Sequence, residues 1–442
     1  MSVICVIISN LLIFAKKEMK EEFLHYLWQY QLFNKSHLRS TQGEALEIQK
    51  TGIHNKNSGP DFNAASLLIG TQLWAGNVEI HLKSSDWYVH NHEKDAAYDS
   101  VILHVVWEDD IQIFRSNNTA ISALELKGLV PKNILNSYKQ LFSTNLKWIA
   151  CENNIQQVNQ FDIDNWLERL YIERLERKSK YIEELLRVET NNWEAVLYQL
   201  LAKNYGLKVN ADSFSEMTKA TPFHVFRKES SKQLNLESLL FGQTGLLNKV
   251  KAKEDKYYKE LQKIYGFQKN KYKLKMSKTE VAFFRLRPPN FPTIRLSQFA
   301  NLYFNNVNLF QELIQENRID KLYKLLESQT SKYWETHYSF DKKSKRRKKK
   351  TTKAFLDLLI INTIIPLKFT YQKQRTDFDF EPILVLIREL KTEKNTIITK
   401  FHQLGVISEN ALHSQALITL KNNYCNTQKC LQCKIGSRVL QQ

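Results

Sequence analysis

Asn57-Ser58-Gly59-Pro60-Asp61-Phe62, followed by Gly76-Asn77-Val78-Glu79-Ile80-His81-Leu82-Lys83, decides how the N-terminal third of this chain folds. Asp61 stands at the start of a strand or turn. Glu79 and His81 are two apart, so strand alternation points both side chains to one face and leaves Val78 and Ile80 to pack on the other. Lys83 lies on that same face, one pair further along. Two carboxylates meeting at a sheet edge make an oxygen-rich site suited to Mg2+ or Mn2+. An ion held there activates water and stabilises the charge that builds on a scissile phosphate.

Outward from this stretch, Phe23, Leu24, Leu27, Trp28, Leu32 and Phe33 recur at helical spacing, which predicts a first helix over Glu21–Phe33. Short runs at Glu44–Lys50, Ser66–Ile69, Val78–Leu82 and Val101–Trp107 read as strands, with a turn at Ile69-Gly70-Thr71-Gln72. This mixed α/β unit is expected to occupy residues 19–130. After Cys151 the pattern becomes helical among dense charge, and residues 150–400 are expected to form a mostly α-helical region with candidate helices at Trp193–Tyr205, Leu296–Phe310, Lys321–Ser328, Phe355–Ile365 and Glu381–Leu390. Residues 401–442 form a cysteine-bearing end. Residues 1–18 read as an over-extended start: the apolar run Val3–Phe14 is too short to span a bilayer, and its lysines follow it. No other stretch is expected to cross a membrane.

The chain has 64 Lys and Arg against 46 Asp and Glu, a formal charge of +18. That excess favours an anionic partner, and nucleic acid in particular. The nine cations between Lys342 and Lys353 account for half of it, in a stretch expected to be a mobile, solvated loop. Five cysteines, an odd number in a long chain without a secretory signature, argue against a disulfide framework and for a reducing, cytoplasmic setting.

A helix with an N-terminal acid, a Pro-Asp pair and a later Glu-x-basic strand resembles the PD-(D/E)xK nuclease superfamily. The resemblance implies a restriction-endonuclease-like α/β core followed by the helical region. It also implies Asp61 and Glu79 as metal ligands, His81 in the lysine position, Lys83 as a substitute base and Glu22 as the helix acid. A second resemblance covers almost the whole chain. Gly59-Pro60-Asp61-Phe62, Gly76-Asn77-Val78-Glu79-Ile80-His81, Ser84-Ser85-Asp86-Trp87, Ala97-Tyr98-Asp99, Arg287-Pro288-Pro289-Asn290-Phe291-Pro292 and the terminal cysteine run look like a bacterial family, domain of unknown function 2851. That resemblance implies no chemistry.

Asp86, His90, His92, Asp95, Asp99 and His104 surround the proposed site, interleaved with Trp87 and Tyr98 as on a base-stacking surface. Each alone reads equally as a capping residue, and His104 as a satisfied core histidine. His90-x-His92 with Asp95 resembles the metallo-β-lactamase motif, but the spacing to Asp95 is off by one and the final His is absent. Cys425, Cys430 and Cys433 are spaced so that three thiolates can converge, with Cys151 the natural fourth ligand for Zn2+ or a 4Fe-4S cluster. Arg287 and Arg295 in a proline-stiffened loop, with Lys348 and Lys349, are candidate phosphate contacts. The expectation is a metal-dependent nuclease cleaving DNA. The alternatives are a catalytically silent nucleic-acid-binding relative, or a metal hydrolase or scaffold of another class.

Overall fold

The computed structural model describes residues 19–55, 57–142, 147–248, 255–277, 279–340, 342–375 and 379–441. The start at 1–18, with Cys5, lies outside the described residues. The chain divides into two compact units, one of Met1–Ile163 with Asn422–Gln442 and one of Asp164–Lys421. The helical region therefore runs past residue 400, and the cysteine-bearing end belongs with the N-terminal unit.

In the first unit, helix α1 (Glu21–Gln29) buries Phe23, Leu24, Tyr26, Leu27 and Trp28. It stops short of the expected Phe33 because Gln31 takes a left-handed conformation (φ 49°). The strands are β1 (Leu46–Lys50), β2 (Ile53–His54), β3 (Phe62–Ile69), β4 (Gln72–Lys83), β5 (Val101–Glu108) and β6 (Ala123–Glu125). They lie in one mixed sheet in the order β1-β3-β4-β5-β6, with β2 beside β3. β1 and β4 flank β3 antiparallel, whereas β5 runs parallel to β4 and β6 parallel to β5. A parallel neighbour requires a crossover; here it contains the short helix α2 (Asp86–Val89) and two 3-10 turns, His92–Lys94 and Ala96–Tyr98. Gly76 lets β4 and β5 approach at their starts, since a Cβ there would sit 2.5 Å from both the Ser100 carbonyl and Ile102 Cγ2. Helix α3 (Lys132–Leu141) lays Tyr138 against Phe23 of α1, ring centroids 3.9 Å apart.

The second unit is largely helical. Its helix Pro292–Asn305 begins earlier than the expected Leu296 because Pro292 takes the first helical position, where a missing N–H costs nothing. The stretch Lys353–Lys373 is long and apolar enough to cross a membrane, with mean hydropathy 1.4, which corrects the expectation that nothing beyond the start could; 72% of it is buried as a core helix. The basic stretch also differs from expectation. Lys342–Lys343 pairs with His337–Ser339 as a hairpin, Arg347 N–H donates to the Glu335 carbonyl, and Lys350 bridges to Gln329. Backbone hydrogen bonding on both sides fixes it in spite of its charge.

Candidate metal centre

The bend at Gly59-Pro60 delivers Asp61 to the head of β3, beside the buried half of β4. The two acids lock across the strands: the Asp61 backbone N–H donates to Glu79 Oε2 at 3.1 Å, and the Ile80 N–H donates to Asp61 Oδ2 at 3.0 Å. A register shift between Phe62 and Ala65, with Ala64 at φ 57°, bends β3 just past Asp61, as bulges beside functional sites do. From α1, His25 Nε2 lies 3.2 Å from Asp61 Oδ2 and 3.6 Å from Glu21 Oε1. The acid that turns to the site is thus Glu21, while the expected Glu22 is exposed; one residue along a helix rotates a side chain by about 100°.

Donor atoms then gather from β4 and the crossover. Glu79 Oε1 lies 3.3 Å from His92 Nε2 and 3.6 Å from His81 Nε2, and His81 Nε2 lies 3.0 Å from His90 Nδ1. His81, His90 and His92 can each offer a nitrogen within 4.8 Å of the others, and Glu21, His25 and Asp61 form a second group in which two carboxylate oxygens and one imidazole nitrogen lie equally close. Ligands about 2.1 Å from a tetrahedral ion stand about 3.4 Å from one another, which is the spacing of these edges. The site is therefore richer in nitrogen than the oxygen-rich pair expected from Asp61 and Glu79 alone. Behind it, His81 Nδ1 meets His104 Nε2 at 2.9 Å, and Tyr98 stacks on His92 at 3.7 Å. That contact turns His81 Nε2 toward the site, and the tautomer in which His81 Nδ1–H donates to His104 leaves the Nε2 lone pair available to a ligand. His104 is fully buried, as a core histidine would be, yet its Nδ1 has no partner among the described residues.

The field of the site follows from burial. Burial pushes Glu79 up from the ordinary carboxylate value, reinforced by Asp61 and resisted by His92. Burial, then the neighbouring His90 and His92, pushes His81 down to about 3, and burial, then His81, holds His104 well below the ordinary imidazole range. Burial also opposes charge on His25, but Asp61, Glu21 and Glu79 more than offset it and its pKa is raised. Burial thus favours the uncharged form of His81 and His104, while the acids around His25 favour its protonated form.

The other expected residues separate. Lys83 is exposed beyond the cluster, its charge felt by Asp110. Asp86 accepts from Lys83 N–H, Asp95 caps its 3-10 turn through Ala97 N–H, and Asp99 accepts from the Ser116 hydroxyl, so the first two serve the local backbone and the third ties down a loop side chain. Asp95 consequently supplies no metallo-β-lactamase-like ligand. Trp87 is not a stacking platform: it is fully buried against Val101, Ile113 and Ile121. In the helical unit Arg295 is 6% exposed, bonded to Gln298 and Asn290 and laid over Phe355 at 3.6 Å, and Lys349 is 7% exposed and donates to the Trp334 and Glu335 carbonyls. Both are occupied inside the fold and cannot reach a phosphate. Arg287 and Lys348 remain exposed. Cys151, Cys430 and Cys433 are buried and Cys425 half-buried, and the Cys151 thiol is pushed up by burial and then by the other three.

Two features went unread in the sequence. His25 signalled itself only by its helical i, i+4 relation to Glu21. A pocket of about 470 Å³ in the helical unit gathers Arg177, Lys178, Lys203 and Lys208 from three helices, with no acid in its wall. Asn362, in the π-helical turn Ile360–Ile364, receives both Lys178 and Arg174 there. Those cations are too far apart in sequence for any charge run to reveal them.

An acid-and-histidine centre on a mixed sheet, followed by a helical unit, describes the class. The chain belongs to the DUF2851 family, described as protein of unknown function, over residues 21–396. The terminal cysteine run included in the resemblance falls beyond that match. No curated protein and no solved structure gives a match, and no comparison links the chain to PD-(D/E)xK nucleases.

Proposed function

We propose that this protein is a metal-dependent phosphodiester hydrolase acting on nucleic acid, DNA first among the possible substrates. The observation that carries the reading is the mutual lock of Asp61 and Glu79 at the mouth of β3 and β4, with Glu21 and His25 on one side and three imidazoles on the other. An acid on the first helix, an acid after Pro60 and Glu-x-basic on the next long strand also support the restriction-endonuclease-like reading of the core. The net charge of +18 supports a polyanionic substrate.

The residues present fit a divalent ion: His81, His90 and His92 with Glu79 can hold one, and Asp61 with Glu21 can share or extend the site. When bound, the ion supplies positive charge to the scissile phosphate. His81 is held by His104 and orients its Nε2 inward. His25 places a cation beside Asp61, a task that a lysine in the His81 position would otherwise perform.

Imidazole nitrogen suits Mn2+ and the later transition ions, whereas Mg2+ prefers oxygen ligands. Cleavage of labelled single-stranded, duplex and branched DNA is therefore expected to be at least about tenfold faster with Mn2+ than with Mg2+, a difference of about 1.4 kcal/mol in barrier. Equal rates with both ions would remove the imidazoles from the ligand set. DNA binding without cutting under any ion would identify a silent relative. The histidine-rich donor set itself favours a second reading, a metal hydrolase of small phosphoesters, which predicts turnover of such esters with no DNA affinity at low salt.

The cationic pocket in the helical unit fits phosphate groups. A Lys203→Gln/Lys208→Gln variant is expected to weaken DNA binding and to reduce the slope of log affinity against log salt by about 1.8, the loss of two phosphate contacts. An unchanged slope in filter binding across a salt series would place the contacts elsewhere.

A further inference from the structure

We infer that the pocket among the helices Gln160–Val188, Trp193–Tyr205 and Leu207–Ala220 is a binding site for a small organic phosphate, a phosphate monoester that carries an aromatic group, as a mononucleotide does. The inference does not rest on the hydrolase reading, because every residue that lines this pocket lies in the helical unit.

Helical spacing brings the cations to one cavity. Arg177, Lys178 and Tyr181 fall at i, i+1 and i+4 on the first helix, Lys203 and Asn204 at adjacent positions of the second, and Lys208 in the first turn of the third. The second and third helices meet at a sharp turn. Leu207 takes φ 52° there, and a Cβ on Gly206 would lie 2.4 Å from the Asn210 carbonyl oxygen, so only glycine lets Lys203 and Lys208 line the same space. The π-helical turn Ile360–Ile364 closes a further wall through Asn362, and such turns recur at functional sites.

The positive charge is held in place without being neutralised. Lys178 Nζ donates to Asn362 Oδ1 at 3.0 Å and to the Asn362 carbonyl at 3.2 Å, and Arg174 Nη2 donates to the same Oδ1 at 3.0 Å. Lys203 Nζ lies 3.4 Å from the Tyr181 hydroxyl and 4.6 Å from the centre of its ring. These acceptors are all neutral. Arg177 reaches an acid only at 3.9 Å, Glu173 on the exposed side of its own helix, and no residue lining the pocket is acidic. Burial, then the charges of Arg174, Lys203 and Arg177, pushes Lys178 down to about 7. An anion in the pocket offsets that repulsion.

Charge and shape together select the ligand. A phosphate monoester carries about −1.5 to −2 charges at neutral pH, a better match to four cations than a single carboxylate. Arg177 supplies a planar fork for two phosphate oxygens, and the lysines supply point charges. The cavity of about 470 Å³ is the size of a small-molecule site and larger than a bare phosphate fills. Ile182, Leu200, Leu358 and Pro366 make the remaining wall apolar, and Tyr181 keeps 38% of its surface exposed. An aromatic group can stack on Tyr181 while its phosphate meets Lys203 beside it. A free mononucleotide and the phosphorylated end of a strand share this chemistry.

Isothermal titration calorimetry of the full chain, at low salt and without added divalent ion, tests the assignment. Deoxyadenosine 5′-monophosphate is expected to bind at least about tenfold more tightly than inorganic phosphate and than deoxyadenosine, since each of those probes keeps one half of the recognition. The Lys203→Gln/Lys208→Gln variant, altered at two positions outside the core, is expected to lose at least about tenfold in that affinity. Asp61→Ala/Glu79→Ala is expected to bind the monophosphate as the parent does. A 5′-phosphorylated oligonucleotide that binds more tightly than its 5′-hydroxyl twin, with the difference lost in the lysine variant, assigns the pocket to a strand end. Equal binding of the twins, with the monophosphate still bound, assigns it to a free nucleotide. Absence of binding at millimolar monophosphate, equal affinity for inorganic phosphate or for deoxyadenosine, or full affinity in the lysine variant overturns the proposal. Cleavage is read in a separate assay, so a chain that binds the monophosphate but cuts nothing would overturn the hydrolase reading alone.

Discussion

The Asp61→Ala/Glu79→Ala variant is expected to lose metal-dependent cleavage by at least about 10³-fold while folding as well as the parent. A lost interaction of about 4 kcal/mol in the transition state corresponds to that factor, and removing both ligand carboxylates takes away the ion-binding acids and the anchor of His25 together. The folding side follows from the geometry. Glu79 is 4% exposed and its charge is opposed by burial and by Asp61. Deleting both acids leaves the Ile80 N–H and His25 without their carboxylate partner, costing about 1–3 kcal/mol, but it also removes a repelling, desolvated pair. Sites tuned for function are commonly where stability is forgone. Cleavage assays run beside thermal melting give the answer: full activity in the variant would end the hydrolase proposal, and a melting point many degrees lower would show the acids to be structural.

Glu237→Ala is expected to destabilise the helical unit by about 3–5 kcal/mol, the range for breaking a buried polar network by removing one member. Glu237 has no exposed surface and gathers Tyr257, Ser297 and Gln233, while Ser331 N–H donates to the same Ser297 hydroxyl. Burial, ahead of those hydrogen bonds, raises its pKa above the ordinary 4.5. The folded chain therefore holds the Glu237 proton more tightly than the unfolded chain. The stability this contributes is fully present below pH 4.5 and is lost as pH rises through the folded pKa. Glu237→Gln, which keeps a neutral group of the same shape, should gain on the parent as pH rises. Urea midpoints for parent, Ala and Gln variants across pH test both parts; a Gln variant that tracks the parent at every pH would show Glu237 to be unperturbed.

Much of the first unit was legible because alternation is a local signal. Glu79 and His81 on one face with Val78 and Ile80 on the other, the Gly70 turn and the apolar stripe of α1 all follow from spacing within a few residues. The choice between Glu21 and Glu22 was not legible, since it depends on the rotation of α1 against β3. Nor was the burial of Arg295 and Lys349, whose charges read as surface features although tertiary partners enclose them. The histidine cluster lay between: His81, His90 and His92 were visible as residues, but only the crossover between β4 and β5 folds the last two back over the first.

The division of the chain also has a consequence in time. The helical unit is one continuous stretch, Asp164–Lys421, whereas the sheet-bearing unit needs residues from both sides of it. A ribosome adds about 5–20 residues per second, so the β-sheet waits on the order of tens of seconds after its last strand emerges before Ser437 can reach Tyr26. During biosynthesis the helical unit can complete itself first, and the sheet-bearing unit, which needs Asn422–Gln442 to be whole, is the last to be completed.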